Sequence, residues 1–245
     1  MIIKNKKLLF IHIPRTGGTS IEQSFGRPRC KEGINSLTQH NTLKQYSEKE
    51  DINSYFTFSF VRNPWDRLIS WYLWSHADII YYQYMADQGL YCSNKNPLKA
   101  WERGKKIMGE PSSCHINRKF YLKFKNSFAC FIESLPSRME QSLHAPDVNI
   151  HLNRENRLIG KWVMPQVEWL KNTEDEVGLN FIGKYENYET DVKKLFLKVK
   201  HSPKSLPIVG HILHKPNYQR FYTKKTQQMI LDIYREDIEF FDYEF

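Results

Sequence analysis

The chain has an apolar run over 8–11 and an aromatic and β-branched run over 55–61, and each leads through turn-forming residues into apolar residues at helical spacing. Residues 7–13 predict a buried strand, followed by a helix over 18–25. Residues 55–61 predict a second strand, after which Asn63 suits a helix N-cap and Pro64 the first helical position. Two strand–loop–helix units in the first third favour an α/β fold with a central, mainly parallel sheet flanked by helices.

The rest of the chain is less regular. We expect loop with one short helix over 26–54, a region of aromatic and basic residues over about 76–160, and a loop over 201–221. The remaining predicted elements are helices over 126–135, 164–172, 186–200 and 223–241 and a third strand over 179–184. No linker rich in Gly, Pro or Ser divides the chain, so it predicts a single domain, 1–245, with an insert at about 76–160.

Composition adds a preference for anionic partners. The 245 residues include 36 Lys and Arg against 27 Asp and Glu, a formal net charge of +9. That balance suits a nucleotide, a nucleic acid, an acidic glycan or a membrane surface, although a basic surface kept for solubility would look the same. The four cysteines form no CxxC pair and the Cys and His spacing predicts no metal site. The basic N-terminus leads into an apolar run too short for a signal peptide or a membrane span, so we expect a soluble, cytoplasmic protein with reduced thiols.

The loop over 12–20 carries the first candidate chemistry. It reads His-Ile-Pro-Arg-Thr-Gly-Gly-Thr-Ser and joins a predicted strand to a predicted helix. Gly17 and Gly18 allow close backbone approach to an anion, hydroxyl groups can donate hydrogen bonds, and Arg15 can neutralise charge. The GxxxxGK[ST] pattern of a Walker A loop is absent. A plain Gly-Gly turn is the alternative interpretation.

A second candidate follows the second predicted strand. Arg62 lies at the carboxyl end of that strand, where α/β sheets present their ligands, and Ser70 lies about two turns into the next helix. Together they suit a second, separate phosphate. The alternative is an Arg62 paired with Asp66 and a Ser70 on a core-facing helix.

Taken as a pair, these two segments resemble the phosphosulfate loop and the 3′-phosphate motif of sulfotransferases that use 3′-phosphoadenosine 5′-phosphosulfate (PAPS). The likeness is closest to the carbohydrate-type branch, with its H-[IV]-P-K-T-G-G-T-S and V-R-[ND]-P-x-x-R-x-x-S-x-Y patterns. Weaker likeness continues through 164–170, 181–187 and 234–243, so it spans most of the chain except about 76–160.

The resemblance implies roles for these residues. It assigns the 5′-phosphosulfate to Arg15, Thr16, Gly17, Gly18, Thr19 and Ser20. It assigns the 3′-phosphate to Arg62 and Ser70. Arg15 stands where the family usually has Lys; since Arg stays charged and cannot donate its proton, we infer electrostatic stabilisation of the leaving phosphate.

The resemblance also points to an acceptor base. Relatives that act on glycans often place a His between the two motifs, and His40 is the His in that interval. A His with a pKa near neutrality can take a proton from a hydroxyl, although an exposed loop His would look the same. His12 falls on the predicted strand and is interpreted as structural. In the loop over 211–220, Lys215 and Arg220 are candidates to cover the adenine.

The resemblance implies a PAPS-dependent sulfotransferase that acts on a saccharide hydroxyl, and we expect in-line transfer without a metal. The insert at 76–160 is the predicted acceptor platform, and neither a nucleic acid nor a membrane span is expected. Two alternatives stay open at this point: a P-loop nucleotide kinase or NTPase, and a basic nucleic-acid-binding protein.

Overall fold

A four-stranded sheet organises the computed structural model, which describes residues 1–26, 40–75, 127–137, 139, 163–203 and 217–245. In spatial order its strands are β1 (Ile2–Ile3), β2 (Leu8–Ile11), β3 (Phe56–Val61) and β4 (Phe181–Lys184). β1 pairs antiparallel with β2, whereas the β2–β3 and β3–β4 pairs are parallel. The predicted α/β class with a mainly parallel sheet is therefore confirmed.

Helices follow the strands along the described parts of the chain. They are α1 (Gly18–Ser24), α2 (Leu43–Ser47), α3 (Pro64–Ser75), α4 (Phe128–Glu133), α5 (Gln166–Leu170), α6 (Tyr188–Lys198), α7 (Lys224–Ile233) and α8 (Arg235–Phe240). Short 3₁₀ segments occur at Lys4–Lys6, Tyr185–Asn187 and Tyr218–Phe221. Asn63 caps α3 as predicted, because its side-chain oxygen accepts from the Trp65 and Asp66 amides.

The sheet is buried on both faces, which explains why β2 is apolar at every position. Leu8 and Phe10 point to one face, where they pack with residues of α1 and α6. Leu9 and Ile11 point to the other face and pack with residues of α2, α5 and the C-terminal segment. Parallel strands covered on both sides show such continuous hydrophobic runs rather than alternation.

The structure corrects two details of the sequence-based assignment and adds one strand, β1. β2 ends at Ile11, so His12 belongs to the loop and not to the strand. The C-terminal helix predicted over 223–241 is two helices, which meet at Tyr234, a residue with non-helical backbone angles (φ −110°, ψ 27°). The two-residue strand β1 was too short to show a pattern.

The chain forms two compact units, one made of Met1–Arg67 with Leu135–Phe245 and the other of Leu68–Ser134. The first unit contains the sheet. In the second, Trp71 stacks on Phe131 with ring centroids 5.3 Å apart, and Tyr72 meets Phe128 edge-on at 5.1 Å. Much of the predicted insert lies outside the described residues, and the single-domain assignment stays a prediction.

Candidate active site

The loop between β2 and α1 folds around two residues with left-handed backbone. Arg15 has φ 70° and Gly17 has φ 85°. The hydroxyl group of the fully buried Thr16 donates to the Ile13 carbonyl at 2.9 Å, and the Ser20 amide donates to the Gly17 carbonyl at 3.1 Å. Since the Thr16 hydroxyl proton is used within the loop, its backbone amide is the group it can offer to an anion.

The two glycines are required by close neighbours. A Cβ on Gly17 would lie 2.6 Å from the Tyr188 ring, and one on Gly18 would lie 2.2 Å from the His12 ring. The His12 ring is itself held, because it stacks on Phe10 and its Nδ1 lies 3.1 Å from Glu22 Oε1. Position 18 therefore has no room for a side chain, because the His12 ring packs against it.

His40, the predicted acceptor base, lies beside the start of this loop. Its Nδ1 is 2.8 Å from the His12 carbonyl oxygen, and the two imidazole rings are 4.4 Å apart. A carbonyl can only accept, so His40 Nδ1 must carry the hydrogen, and the neutral ring then has its lone pair on Nε2. In that tautomer Nε2 is the ring nitrogen that accepts a proton.

The turn after β3 is held by a side-chain amide. Gln166, fully buried at the start of α5, accepts from the Arg62 amide at 2.9 Å and donates to the Arg62 carbonyl at 2.8 Å. Asp237 in turn accepts from the Gln166 and Val167 amides at 2.7 and 2.9 Å. Burial raises the pKa of Asp237, whereas the positive charge of Arg67 opposes that rise.

The Arg62 guanidinium joins the two predicted anion motifs. Its Nε donates to Asp66 Oδ2 at 2.9 Å, and its Nη1 donates to the Arg15 carbonyl at 2.9 Å. Burial, together with the positive charge of Arg62, lowers the pKa of Arg15 to about 10. Two like charges are thus held near each other at the carboxyl ends of adjacent parallel strands, where α/β folds bind ligands.

The end of β4 completes this edge of the sheet. The Tyr185 ring lies under the Arg62 guanidinium, with 4.2 Å from Cζ to the ring centroid. Glu186 accepts from the Asn63 amide at 2.7 Å, and the Tyr188 hydroxyl donates to the Gly17 carbonyl at 2.8 Å. Residues after three neighbouring strands therefore contact one another.

The remaining predicted site residues are less closely tied to this cluster. Ser70 is buried in α3 but falls in the second unit, so its role at the 3′-phosphate stays a prediction. Arg220 is exposed on the 3₁₀ segment Tyr218–Phe221, and Lys215 lies outside the described residues. Thr19 is exposed, whereas Ser20 is buried and hydrogen-bonds the Tyr188 hydroxyl group.

Sequence reasoning missed Glu22, Tyr185 and Tyr188 as contributors to the site. Tyr185 directly follows β4 and Tyr188 lies three residues further on, and the carboxyl end of a parallel strand is a signal that could have found them. Glu22 lies on α1 without any such signal. Gln166 and Glu186 both make hydrogen bonds to the backbone of the turn after β3.

Membrane spans and metal clusters are both absent from the residues that the structure describes. None of the helices there has the length and apolar character needed to cross a bilayer. In the same part of the chain, three or more His, Cys, Asp or Glu side chains nowhere gather as a metal site requires.

A family model described as "Sulfotransferase family" matches residues 1–244. The chain belongs to the sulfotransferase family, and its class of reaction is sulfuryl transfer. No curated protein and no solved structure gives a significant match to this chain. The resemblance seen in the two motifs is thus confirmed at the level of the family.

Proposed function

We propose that this protein is a PAPS-dependent sulfotransferase that transfers the sulfuryl group to a hydroxyl of a carbohydrate acceptor. The observation that carries the proposal is the hydrogen bond between Arg62 Nη1 and the Arg15 carbonyl, 2.9 Å long. It brings two motifs, 47 residues apart in the chain, to one edge of the sheet, so that a single nucleotide with a phosphate at each end can meet both.

The donor set fits a nucleotide with several negative charges. Arg15 and Arg62 repel each other, since the charge of Arg62 is one of the causes that lower the pKa of Arg15. With a pKa of about 10, Arg15 is still protonated at neutral pH. A bound anion relieves this repulsion and gains two charge-assisted donors.

Each residue has a specific part in the proposed reaction. The loop over 15–20 holds the 5′-phosphosulfate and stabilises the charge that develops on the leaving phosphate, while Arg62 and Ser70 hold the 3′-phosphate. PAPS, when bound, supplies the activated sulfuryl group. His40 takes the proton that the acceptor hydroxyl loses, through the nitrogen opposite its hydrogen bond to the His12 carbonyl.

The acceptor class is inferred from sequence likeness and from charge. The likeness to the carbohydrate-type branch and the net charge of +9 favour a saccharide, preferably an acidic one. Residues 76–160, most of which lie outside the described residues, are the proposed acceptor platform.

The first experiment measures the melting temperature of the protein with 3′-phosphoadenosine 5′-phosphate (PAP) and with AMP. We expect PAP to raise it more than AMP does, because a ligand that binds only the folded state stabilises it. No stabilisation by millimolar PAP would contradict the proposal. Transfer of labelled sulfate from PAPS to a panel of acidic and neutral oligosaccharides then identifies the acceptor.

His40→Ala tests the assignment of the base. We expect turnover with the identified acceptor to fall by at least about a hundredfold, as the loss of a general base implies, while PAP affinity changes little. The matched control is His201→Ala, a histidine bonded to the Ser24 carbonyl and outside the site. Full activity of His40→Ala would require a different base.

A further inference from the structure

The side chain of Arg62 is fixed on three sides before any ligand binds. Asp66 accepts from its Nε, the Arg15 carbonyl accepts from its Nη1, and Tyr185 lies against its plane. Its exposed fraction is only 5%. A group this constrained cannot adjust its position without disturbing its neighbours.

One of those neighbours is the strained part of the phosphosulfate loop. The carbonyl that Arg62 holds belongs to Arg15, whose φ of 70° is unfavourable for a residue with a side chain. Such a conformation persists only where surrounding contacts impose it. The Tyr188 hydroxyl supports the same loop at the Gly17 carbonyl. The hydrogen bond from Arg62 is therefore one of the contacts that hold the loop in shape.

Arg62 keeps donors for an anion while it makes these contacts. A guanidinium group carries five N–H donors, and the two described hydrogen bonds use one on Nε and one on Nη1. Among the described residues, the side-chain hydrogen bonds of Arg62 come from its Nε and Nη1 and not from its Nη2. One face of the fork is thus bound to the loop while another edge can receive a phosphate.

We propose that Arg62 couples the two ends of the nucleotide site: it is a positioning residue for the 5′-phosphosulfate loop as well as a ligand of the 3′-phosphate. This inference rests on the proposed function. Its consequence is specific, because a nucleotide that has no 3′-phosphate still depends on Arg62. If Arg62 served the 3′-phosphate alone, that nucleotide would bind equally well without it.

The test compares two ligands by titration calorimetry, adenosine 5′-phosphosulfate, which lacks the 3′-phosphate, and PAP, which has it. Arg62→Lys keeps the charge, but an ammonium group cannot bridge Asp66 and the Arg15 carbonyl as the planar fork does. We expect this variant to bind adenosine 5′-phosphosulfate about tenfold more weakly, the effect of losing one hydrogen bond to a charged group. Ser70→Ala is the matched control, which should weaken PAP but not adenosine 5′-phosphosulfate.

The outcomes separate the two proposals. An Arg62→Lys protein that loses affinity for PAP but binds adenosine 5′-phosphosulfate as the wild type does would overturn the coupling and leave the proposed function standing. A wild-type protein that binds neither nucleotide would overturn the proposed function itself. Equal losses for both ligands in Ser70→Ala would show that the comparison reports a general disturbance, and would count against the coupling.

A measurement on the unmodified protein decides the matter if the variant does not fold. Adenosine 3′-phosphate has no 5′-phosphate to touch the loop, yet it should stiffen the loop through Arg62. We expect it to slow amide hydrogen exchange in the peptide over 12–20. Binding of adenosine 3′-phosphate without any slowing there would refute the coupling.

Discussion

The segments after β2 and β3 each bring an arginine to the same edge of the sheet, but they hold it in different ways. Arg62 has both backbone groups bonded to Gln166 and its side chain bonded to Asp66 and to the Arg15 carbonyl. Arg15 is half-buried on a loop that depends on glycine and on left-handed backbone. Arg62 is held rigidly by its neighbours, and the loop that carries Arg15 packs against it.

We therefore expect the turn after β3 to contribute mainly to stability and the loop after β2 to contribute to nucleotide binding as well. The turn after β3 is anchored in the buried network of Gln166, Asp237 and Arg67. The loop after β2 takes its shape from contacts with side chains around it, such as the Tyr188 hydroxyl and the ring of His12. Substitutions in the buried network around Gln166, called the anchor below, should mainly lower the free energy of unfolding. Substitutions in the loop should weaken nucleotide binding as well.

Removing the anchor should have the largest effect. Gln166→Ala leaves the buried amide and carbonyl of Arg62 without their partner, at about 1–3 kcal/mol for each group. We expect the free energy of unfolding, measured by urea denaturation, to fall by several kcal/mol. Gln228→Ala, an exposed glutamine on α7, is the control and should change it by less than about 0.5 kcal/mol. Equal changes in the free energy of unfolding of the two variants would show that the hydrogen bonds of Gln166 do not stabilise the fold.

A change in the loop should have a smaller effect on stability. Gly18→Ala places a Cβ 2.2 Å from the His12 ring, which Glu22 and Phe10 hold in place. Overpacking of this kind costs about 1–3 kcal/mol, and we expect PAP affinity to be lost because the loop must move. Gly178→Ala is the control, since its Cβ would meet nothing closer than 3.4 Å. A Gly18→Ala protein with wild-type PAP affinity would contradict this account of the loop.

Arg15→Lys should have the smallest effect of the three variants on PAP affinity at neutral pH, and a larger effect at alkaline pH. Binding an anion requires the cationic form, and the pKa of Arg15 is about 10, so wild-type affinity should hold up to that pH and fall above it. The ordinary pKa of a lysine side chain is about 2 units below that of arginine. Burial and the neighbouring positive charge, which lower the pKa of Arg15, lower the pKa of a lysine at this position as well. We therefore expect the PAP affinity of Arg15→Lys to fall between about pH 7 and 9.

The measurement is titration calorimetry across that range, in buffers of equal ionic strength. Wild-type protein is the reference for any effect of pH on the nucleotide. Parallel profiles for the two proteins would show that the charge at position 15 does not contribute to the affinity. A steeper loss in the lysine variant would also explain what an arginine at this position provides, namely a charge that survives burial.

The local elements that the structure describes were largely predictable from the sequence. A continuous apolar run located β2, as expected for a strand covered on both faces. An aromatic and β-branched run located β3, in which Thr57 and Ser59 are buried polar residues. The N-cap at Asn63 and the helix start at Pro64 followed from backbone chemistry that acts within a few residues. The split of the last helix at Tyr234 was not predicted, since the apolar spacing continues across it and the Tyr234 hydroxyl binds the distant Val163 carbonyl.

The class of the protein could also be read from the order of its residues, because the two motifs are local arrangements of glycine, hydroxyl and arginine residues. The contact between the two motifs is visible only in the three-dimensional structure. Parallel pairing of β2 with β3 sets their carboxyl ends side by side, and so a guanidinium from one motif reaches a carbonyl of the other. The pairing of β3 with β4 likewise brings Tyr185 and Tyr188 to the site. Spacing along a chain carries no information about such contacts, since they depend on register between strands that are far apart in sequence.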